Sequence, residues 1–393
     1  MFKFKPYTTL VSLMAIYMFT TLTYTLWPVN SPNKIIGFLV FFNVLCVYCM
    51  HLTKKKIVIL LISMSVVVWS FINTINMFSY ISDGIYFLIA ILLLMEIDNE
   101  FSKKQLISAL NDSEKIIKIL VIVCDIILCI GFFDAKCYDS SQWDGSYFIG
   151  YTNSSHTVAS GACLLLIFTL YVIRNKKKTG AFIYFIPSII AILQSGARTF
   201  LIPIVIVCFF FYVYHIKKIS IKLIVFPLAL VSSMYIFLNS SMVEKFVFSV
   251  NNQYTDMNFL GKLTNGRTAF WLVDLLEFSK YNIVQKLLGN GFHFVYMVNK
   301  EFFNLAIWAH NDFINCLLSV GFIGTLVYIY TLFCVGKKII KMPKKHVMIK
   351  LLLLLYMLLP AVLNGFYTYQ HYFYSFIILV ILYEKYYCEM RGK

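Results

Sequence analysis

Charged residues are scarce in this sequence, and their scarcity excludes a water-soluble fold. Only 13% of the 393 residues are Asp, Glu, Lys or Arg, whereas 60% are hydrophobic and the mean hydropathy is +0.78. A soluble core could not absorb this much apolar surface. The composition therefore predicts an all-α fold, namely a polytopic integral membrane helix bundle.

Several motifs that would indicate other functions are also missing. The chain has no repeat at a solenoid period, no Gly/Ser-rich linker, no P-loop, no dinucleotide-binding fingerprint and no D-x-D motif. No separate soluble domain is therefore expected. The ten cysteines fall mainly in apolar runs or on the inner side, with Cys137 as the one outward-facing thiol. We expect no disulfide, no metal site and no cofactor.

Long apolar runs are what the sequence does contain. A bilayer core requires about 20 mostly apolar residues per helix, and this length predicts about twelve transmembrane helices. The first run is too long for a signal peptide and lacks a small-x-small cleavage site, so we expect it to be retained. The predicted spans are 7–27, 35–51, 57–77, 79–97, 116–135, 156–173, 180–197, 199–216, 223–238, 312–335, 348–363 and 372–388.

Basic residues occur in short blocks between these apolar runs. If the N-terminus is inside and the spans alternate in direction, 25 of the 34 Lys and Arg residues lie on the cytoplasmic side, as the positive-inside rule requires. Both termini are therefore predicted to be cytoplasmic. The same distribution accounts for the net charge of +16 without nucleic acid as a partner.

Two polar segments lie on the predicted outer side. The shorter one, 136–155, is rich in acidic, aromatic and small hydroxyl residues. The longer one, 239–311, is inserted between the ninth and tenth spans of a single polytopic domain, 1–393, and a loop of this length usually has a function or structure of its own. The apolar spacing of Thr268–Tyr281 predicts an amphipathic helix on the outer membrane surface or capping the bundle.

Two arginines are the strongest candidates for binding an anion. Arg198 interrupts an apolar run beside small residues, where a guanidinium suits a phosphate or diphosphate group. The alternative is an interfacial arginine that contacts lipid headgroups. Arg267 is placed at the expected start of the amphipathic helix, and helix N-termini favour anions. Its alternative is a solvated loop charge.

A histidine precedes the tenth span. Asn311 is a good N-cap for that helix, so His310 should lie near the positive end of the helix dipole. Such a field favours the neutral imidazole, which can accept a proton from a sugar hydroxyl. The neighbouring Asp312 would have the opposite effect, and a purely structural interfacial histidine is the alternative.

Weaker candidates for substrate binding are amide and imidazole side chains near the predicted outer boundaries. Together with neighbouring aromatic rings they suit sugars, because the apolar faces of sugars stack on rings while the hydroxyls form hydrogen bonds. An aromatic belt at the membrane interface is the alternative explanation. These candidates are Asn153, His156, Gln194, Asn311, Gln370 and His371.

The order of these motifs resembles the O-antigen polymerase and ligase superfamily of Wzy type. The resemblance rests on S-G-A-R-T around Arg198, N-G-R-T-A-F-W around Arg267, L-G-N-G-F at 288–292, and H-N-D-F followed by G-F-I-G from His310 to Gly324. It implies a metal-independent glycosyltransferase that polymerises polyprenyl-diphosphate-linked oligosaccharide repeat units into a capsule- or O-antigen-type polysaccharide. It also implies a multi-pass location in the bacterial cytoplasmic membrane, with the reaction on its outer face.

Carried onto the matching positions, the resemblance assigns roles to three residues. Arg198 and Arg267 would bind and stabilise the departing diphosphate, and His310 would deprotonate or orient the attacking hydroxyl. The expected partners are the lipid-linked oligosaccharide substrate and membrane lipids, with a flippase and a chain-length regulator as further candidates.

Two alternatives remain open. A ligase-like transferase would pass the glycan to another acceptor, and a lipid-linked oligosaccharide flippase or polysaccharide transporter would also fit twelve spans with both ends inside. The transporter is disfavoured because the two halves show no repeat and the polar residues concentrate on the outer side rather than at the midplane. A purely structural membrane protein explains Arg198 least well.

Overall fold

The structure is a computed structural model that describes residues 5–27, 32–73, 77–140, 146–174, 179–214, 235, 264, 266–342 and 347–391. The protein is all-α in these ranges, as predicted, with one short antiparallel hairpin of β1 (Tyr138–Asp139) and β2 (Tyr147–Phe148). The α-helices are α1 (Pro6–Leu22), α2 (Asn33–Cys49), α3 (Lys54–Ile72), α4 (Met77–Ile97), α5 (Glu100–Asp112), α6 (Glu114–Gly131), α7 (Ser155–Ile173), α8 (Ile186–Gln194), α9 (Leu201–Tyr214), α10 (Arg267–Ser279), α11 (Ile283–Leu288), α12 (Phe294–Phe303), α13 (Asp312–Lys341), α14 (Val347–Leu363) and α15 (Gln370–Arg391).

Apart from the predicted ninth span, each predicted span coincides with an α-helix whose ends differ by a few residues. The seventh is divided, since a 3-10 stretch at Thr179–Phe185 precedes α8. The predicted ninth span, 223–238, lies outside the described residues except for position 235, as does most of 239–265 in the long loop. The polar helix α5 was not predicted.

The apolar helices indicate a membrane protein. Helices long and apolar enough to cross a membrane are, within the described ranges, Lys54–Ile72, Tyr80–Ile97, Ser155–Ile173 and Asp312–Lys341. One side of α6 exposes isoleucines at three- and four-residue spacing, and such a stripe suits lipid rather than water. These isoleucines are Ile116, Ile119, Ile122, Ile126 and Ile130.

The chain divides into two compact units. The first unit comprises Met1–Tyr7, Phe38–Leu106 and Tyr254–Phe373, and the second comprises Thr8–Gly37, Ile107–Gln253 and Tyr374–Lys393. This division does not test whether the chain forms one polytopic domain, and the single domain at 1–393 stays a prediction.

The first unit is built around α13, which packs against α3, α4, α11 and α14. This helix is broken at Gly321, whose φ of 66° and ψ of −168° are not helical. The break leaves carbonyls without partners within the helix. The backbone amides of Asn290 and Gly291 donate to two of them, those of Leu318 and Ser319, at 2.8 and 3.1 Å. The loop after α11 therefore completes the hydrogen bonding of α13.

Two glycines make this junction possible. A Cβ on Gly289 would lie 2.3 Å from the carbonyl oxygen of Ser319, and a Cβ on Gly321 would lie 2.4 Å from that of Leu287. Both residues also have a positive φ, which side chains disfavour. We refer to residues 289–291 together with 318–321 as the glycine junction. It fixes the segment after α10 to α13.

The second unit is built around α7, which is buried along most of its length and packs against α6, α8 and α9. Its N-terminus is capped by Ser154, whose hydroxyl accepts from the amide of Thr157 at 3.2 Å. After its last turn, the guanidinium of Arg174 forms an ion pair with Glu114 at 2.6 Å. The helix is thus held at both ends.

Candidate functional site

Arg267 is the first residue of α10, directly after Gly266 with a φ of 76°. The predicted amphipathic helix at Thr268–Tyr281 is confirmed as Arg267–Ser279. The guanidinium is partly buried and donates from one nitrogen to the backbone carbonyl of Leu363 at the end of α14. Arg267 is therefore held in place by the first unit and is not a freely solvated loop charge.

His310 lies beside the same end of α14. Its Nδ1 is 3.3 Å from Oδ1 of Asn364, its ring centroid is 4.7 Å from that of Trp308, and the residue is 9% exposed. An amide oxygen can only accept a hydrogen bond, so this contact is a hydrogen bond in the tautomer that carries the proton on Nδ1, and the neutral ring then has its lone pair on Nε2. The φ of 51° is uncommon for a side-chain-bearing residue and marks a conformation imposed by its surroundings.

Arg267 and His310 thus both contact the end of α14, and a shared cavity for the two side chains stays a prediction. They contact the adjacent residues Leu363 and Asn364, one through a backbone carbonyl and the other through a side-chain amide. The end of α14 is therefore contacted by a cation and by an imidazole. Such a pair can bind an anionic group and accept a proton close to it.

Asp312 organises the turn that follows Asn364. Its buried carboxylate accepts from the backbone amides of Phe366 and Tyr367 at 2.8 and 3.2 Å, and from the hydroxyls of Tyr328 and Thr368 at 2.8 and 3.3 Å. Hydrogen bonds to a charged group contribute about 1.5–3 kcal/mol each. The sequence could not reveal the orientation of this side chain, which here positions the loop that carries Asn364.

Three further predicted site residues lie in the first unit and are buried. Asn311 caps α13, as predicted, because its side-chain oxygen accepts from two amides of the first turn at 3.0 and 3.2 Å. Gln370 is 2% exposed, and its amide nitrogen donates to the carbonyls of Tyr367 and Tyr86 at 2.7 and 3.3 Å. His371 is 6% exposed. Their role in substrate binding stays a prediction.

The other predicted site residues belong to the second unit. Arg198 is partly buried and begins the 3-10 turn Arg198–Phe200, whose phenylalanine ring lies 6.3 Å from the ring of His156. Gln194 accepts from the hydroxyl of Tyr138 at 3.2 Å, and Asn153 is exposed. These contacts place Gln194 beside the β-hairpin and His156 beside the turn of Arg198. A shared role of Arg198 with Arg267 and His310 stays a prediction.

Two carboxyl groups escaped the sequence analysis. Asp83, near the start of α4, accepts from the hydroxyl of Tyr296 at 3.2 Å. Asp274 on α10 is fully buried beside Asn299, and burial raises the pKa of its carboxyl to about 7. Asp83 interrupts an otherwise apolar helix, and this pattern could have marked it as a candidate.

A comparison with protein-family models gives no match for this chain, and a search of curated proteins gives none either.

Proposed function

We propose that the protein is a membrane glycosyltransferase that polymerises polyprenyl-diphosphate-linked oligosaccharide repeat units into a surface polysaccharide. The observation that carries this proposal is the contact of Arg267 and His310 with adjacent residues at the end of α14. A guanidinium matches the oxygens of a diphosphate. An imidazole with its lone pair on Nε2 can accept the proton of a sugar hydroxyl.

The reaction proposed for this site is a displacement at the anomeric carbon of the donor sugar. The hydroxyl oxygen of the acceptor forms the new glycosidic bond, while the bond between the anomeric carbon and the diphosphate oxygen breaks. His310 accepts the hydroxyl proton on Nε2, and Arg267 stabilises the charge on the departing diphosphate. Because diphosphate is already a good leaving group, this electrostatic stabilisation is the main requirement.

We further propose twelve spans with both termini in the cytoplasm of a bacterial cell, which places the site on the outer face of the cytoplasmic membrane. The distribution of Lys and Arg supports this orientation. The proposed role of Arg198 as a second ligand of the diphosphate rests on the sequence motif around it. The proposal that the enzyme needs no metal rests on the lack of a D-x-D motif in the sequence.

A gene deletion distinguishes this function from its alternatives. Lipid-linked glycans are extracted from the deletion strain, and their length and sidedness are measured. Loss of a polymerase should leave single repeat units on the outer face. Long lipid-linked polymer would indicate a ligase, and single units on the inner face would indicate a flippase.

Point variants then test the site. In the complemented strain, Arg267→Ala should lower polymer formation by about 10²–10³-fold and His310→Ala by about 10²–10⁴-fold. The control is Lys280→Ala, which removes an exposed cation from the C-terminal end of the same outer helix, where it pairs with Glu277. Normal chain length at normal expression in either site variant would refute the assignment.

A further inference from the structure

Asp83 is a carboxylate in an unfavourable place. It lies within the helix Tyr80–Ile97, which is apolar enough to cross a membrane, and near the end that the proposed topology puts outside. A charge there is unfavourable unless it is paired, hydrated or adjacent to a polar site. Within the described residues its hydrogen-bond partner is the hydroxyl of Tyr296, at 3.2 Å, and no lysine or arginine forms an ion pair with it.

Aromatic rings surround this carboxylate. The ring of Tyr80 lies 5.3 Å from that of Tyr296 and 6.1 Å from that of His293. Tyr80, Asp83 and Tyr296 are each partly exposed as whole residues, so this cluster lies at the edge of the packed interior rather than in its centre. Rings that pack against an apolar face, together with oxygens that bind hydroxyls, are the chemistry by which proteins bind sugars.

The same helix borders the candidate site. The backbone carbonyl of Tyr86, one turn after Asp83, accepts from Gln370, and the ring of Phe87 lies 5.9 Å from that of Tyr367. Tyr367 belongs to the turn that follows Asn364. Asp83 therefore lies on a helix that packs directly against the loop holding the partner of His310.

We propose that Asp83, Tyr80 and Tyr296 form a subsite for the acceptor sugar. This inference rests on the proposed transferase function. Asp83 accepts hydrogen bonds from sugar hydroxyls, and the two phenol rings pack against the sugar ring. A carboxylate repels a diphosphate and suits an uncharged sugar. The subsite therefore binds the sugar that carries the attacking hydroxyl, whose own diphosphate lies at the far end of its repeat unit.

The test separates the acceptor from the donor. Lipid-linked repeat units extracted from the deletion strain serve as donor, and the same oligosaccharide, released from its carrier by mild acid, serves as acceptor. Two rates are measured with the purified full chain: formation of the carrier-linked-to-free transfer product at varied concentration of the released oligosaccharide, and the slow release of free repeat unit when water hydrolyses the donor without added oligosaccharide. Asp83→Asn should raise the acceptor KM tenfold or more and leave donor hydrolysis unchanged.

Matched variants serve as controls. Asp98→Asn removes a surface carboxylate that pairs with Lys55, and Tyr330→Phe removes an exposed hydroxyl from α13. Both should leave the acceptor KM unchanged. Tyr296→Phe keeps the ring and should raise the acceptor KM several-fold, so it carries the test if Asp83→Asn does not fold.

Three outcomes would overturn the inference. An acceptor KM within twofold of the wild type in Asp83→Asn and Tyr296→Phe would show that no acceptor sugar is bound there. An equal loss of donor hydrolysis would assign the residues to the donor or to general structure. Absence of any donor turnover by the wild-type protein would refute the proposed function itself, and the subsite with it.

Discussion

Replacing Asp274 with asparagine should stabilise the protein, and the gain should increase with pH. Asp274 is 0% exposed, and in the described part of the chain neither of its carboxyl oxygens has a hydrogen-bond partner. The side-chain oxygen of the neighbouring Asn299 lacks a donor there as well. A protonated carboxyl can donate to that oxygen, whereas a carboxylate cannot.

The sign of the pH dependence follows from the raised pKa. Burial raises the pKa of Asp274 from its usual 3.8 to about 7, so the folded protein holds this proton more tightly than the unfolded chain does. Stability from this group is therefore highest below pH 4 and is lost as the pH rises towards 7. At about 1.4 kcal/mol for each tenfold change in proton affinity, the loss approaches about 4 kcal/mol, of which about 2.5 kcal/mol falls between pH 5 and pH 8.5.

The measurement is thermal unfolding of the purified protein in detergent, followed by tryptophan fluorescence. Trp271 lies on the same helix and reports on its environment, since its indole nitrogen donates to the carbonyl of Ala309 at 2.8 Å. Asp274→Asn should melt at a higher temperature than the wild type, with a larger difference at pH 8.5 than at pH 5. Glu277→Gln, which removes a carboxylate paired with Lys280, is the control. Parallel pH profiles of Asp274→Asn and wild type would refute the reasoning.

Three other substitutions test the framework of the site. Gly321→Ala should reduce the yield of folded protein in size-exclusion chromatography, because its Cβ would lie 2.4 Å from a carbonyl oxygen, whereas Gly336→Ala has room and should not. Tyr328→Phe removes a hydrogen bond to the carboxylate of Asp312 and should cost about 1.5–3 kcal/mol of stability, seen as a lower melting temperature. Asn364→Ala frees the adjacent imidazole and should lower the transfer rate about 10²-fold at unchanged yield.

The elements that could be predicted are those encoded by local pattern. The start of α13 follows from Asn311 as an N-cap, and α10 follows from its apolar spacing. The break at Gly321 was not predictable, because a glycine within an apolar run is compatible with a continuous helix until another backbone approaches it closely. The helix α5 was not predicted because a short polar segment between two apolar spans is equally compatible with a loop.

At the candidate site, too, local pattern predicted the residues but not their contacts with distant parts of the chain. Arg267 and His310 were predicted from the types of residue and their neighbours, but their contacts with the end of α14 were not. Their contacts are a backbone carbonyl and an amide from Leu363 and Asn364, 96 and 54 positions away in the chain. No local pattern marks a carbonyl as the partner of a distant arginine. Asp83 was overlooked because its partner, Tyr296, is likewise remote in sequence.

The glycine junction has a consequence for how a substrate enters. Withdrawal of residues 289–291 would expose the carbonyls of Leu318 and Ser319 without donors, and each unsatisfied group costs about 1–3 kcal/mol or more away from water. The segment from α10 to α12 is therefore a fixed wall rather than a lid that opens and closes. For the proposed lipid-linked substrate, the route to the site therefore passes beside this segment and does not depend on its opening.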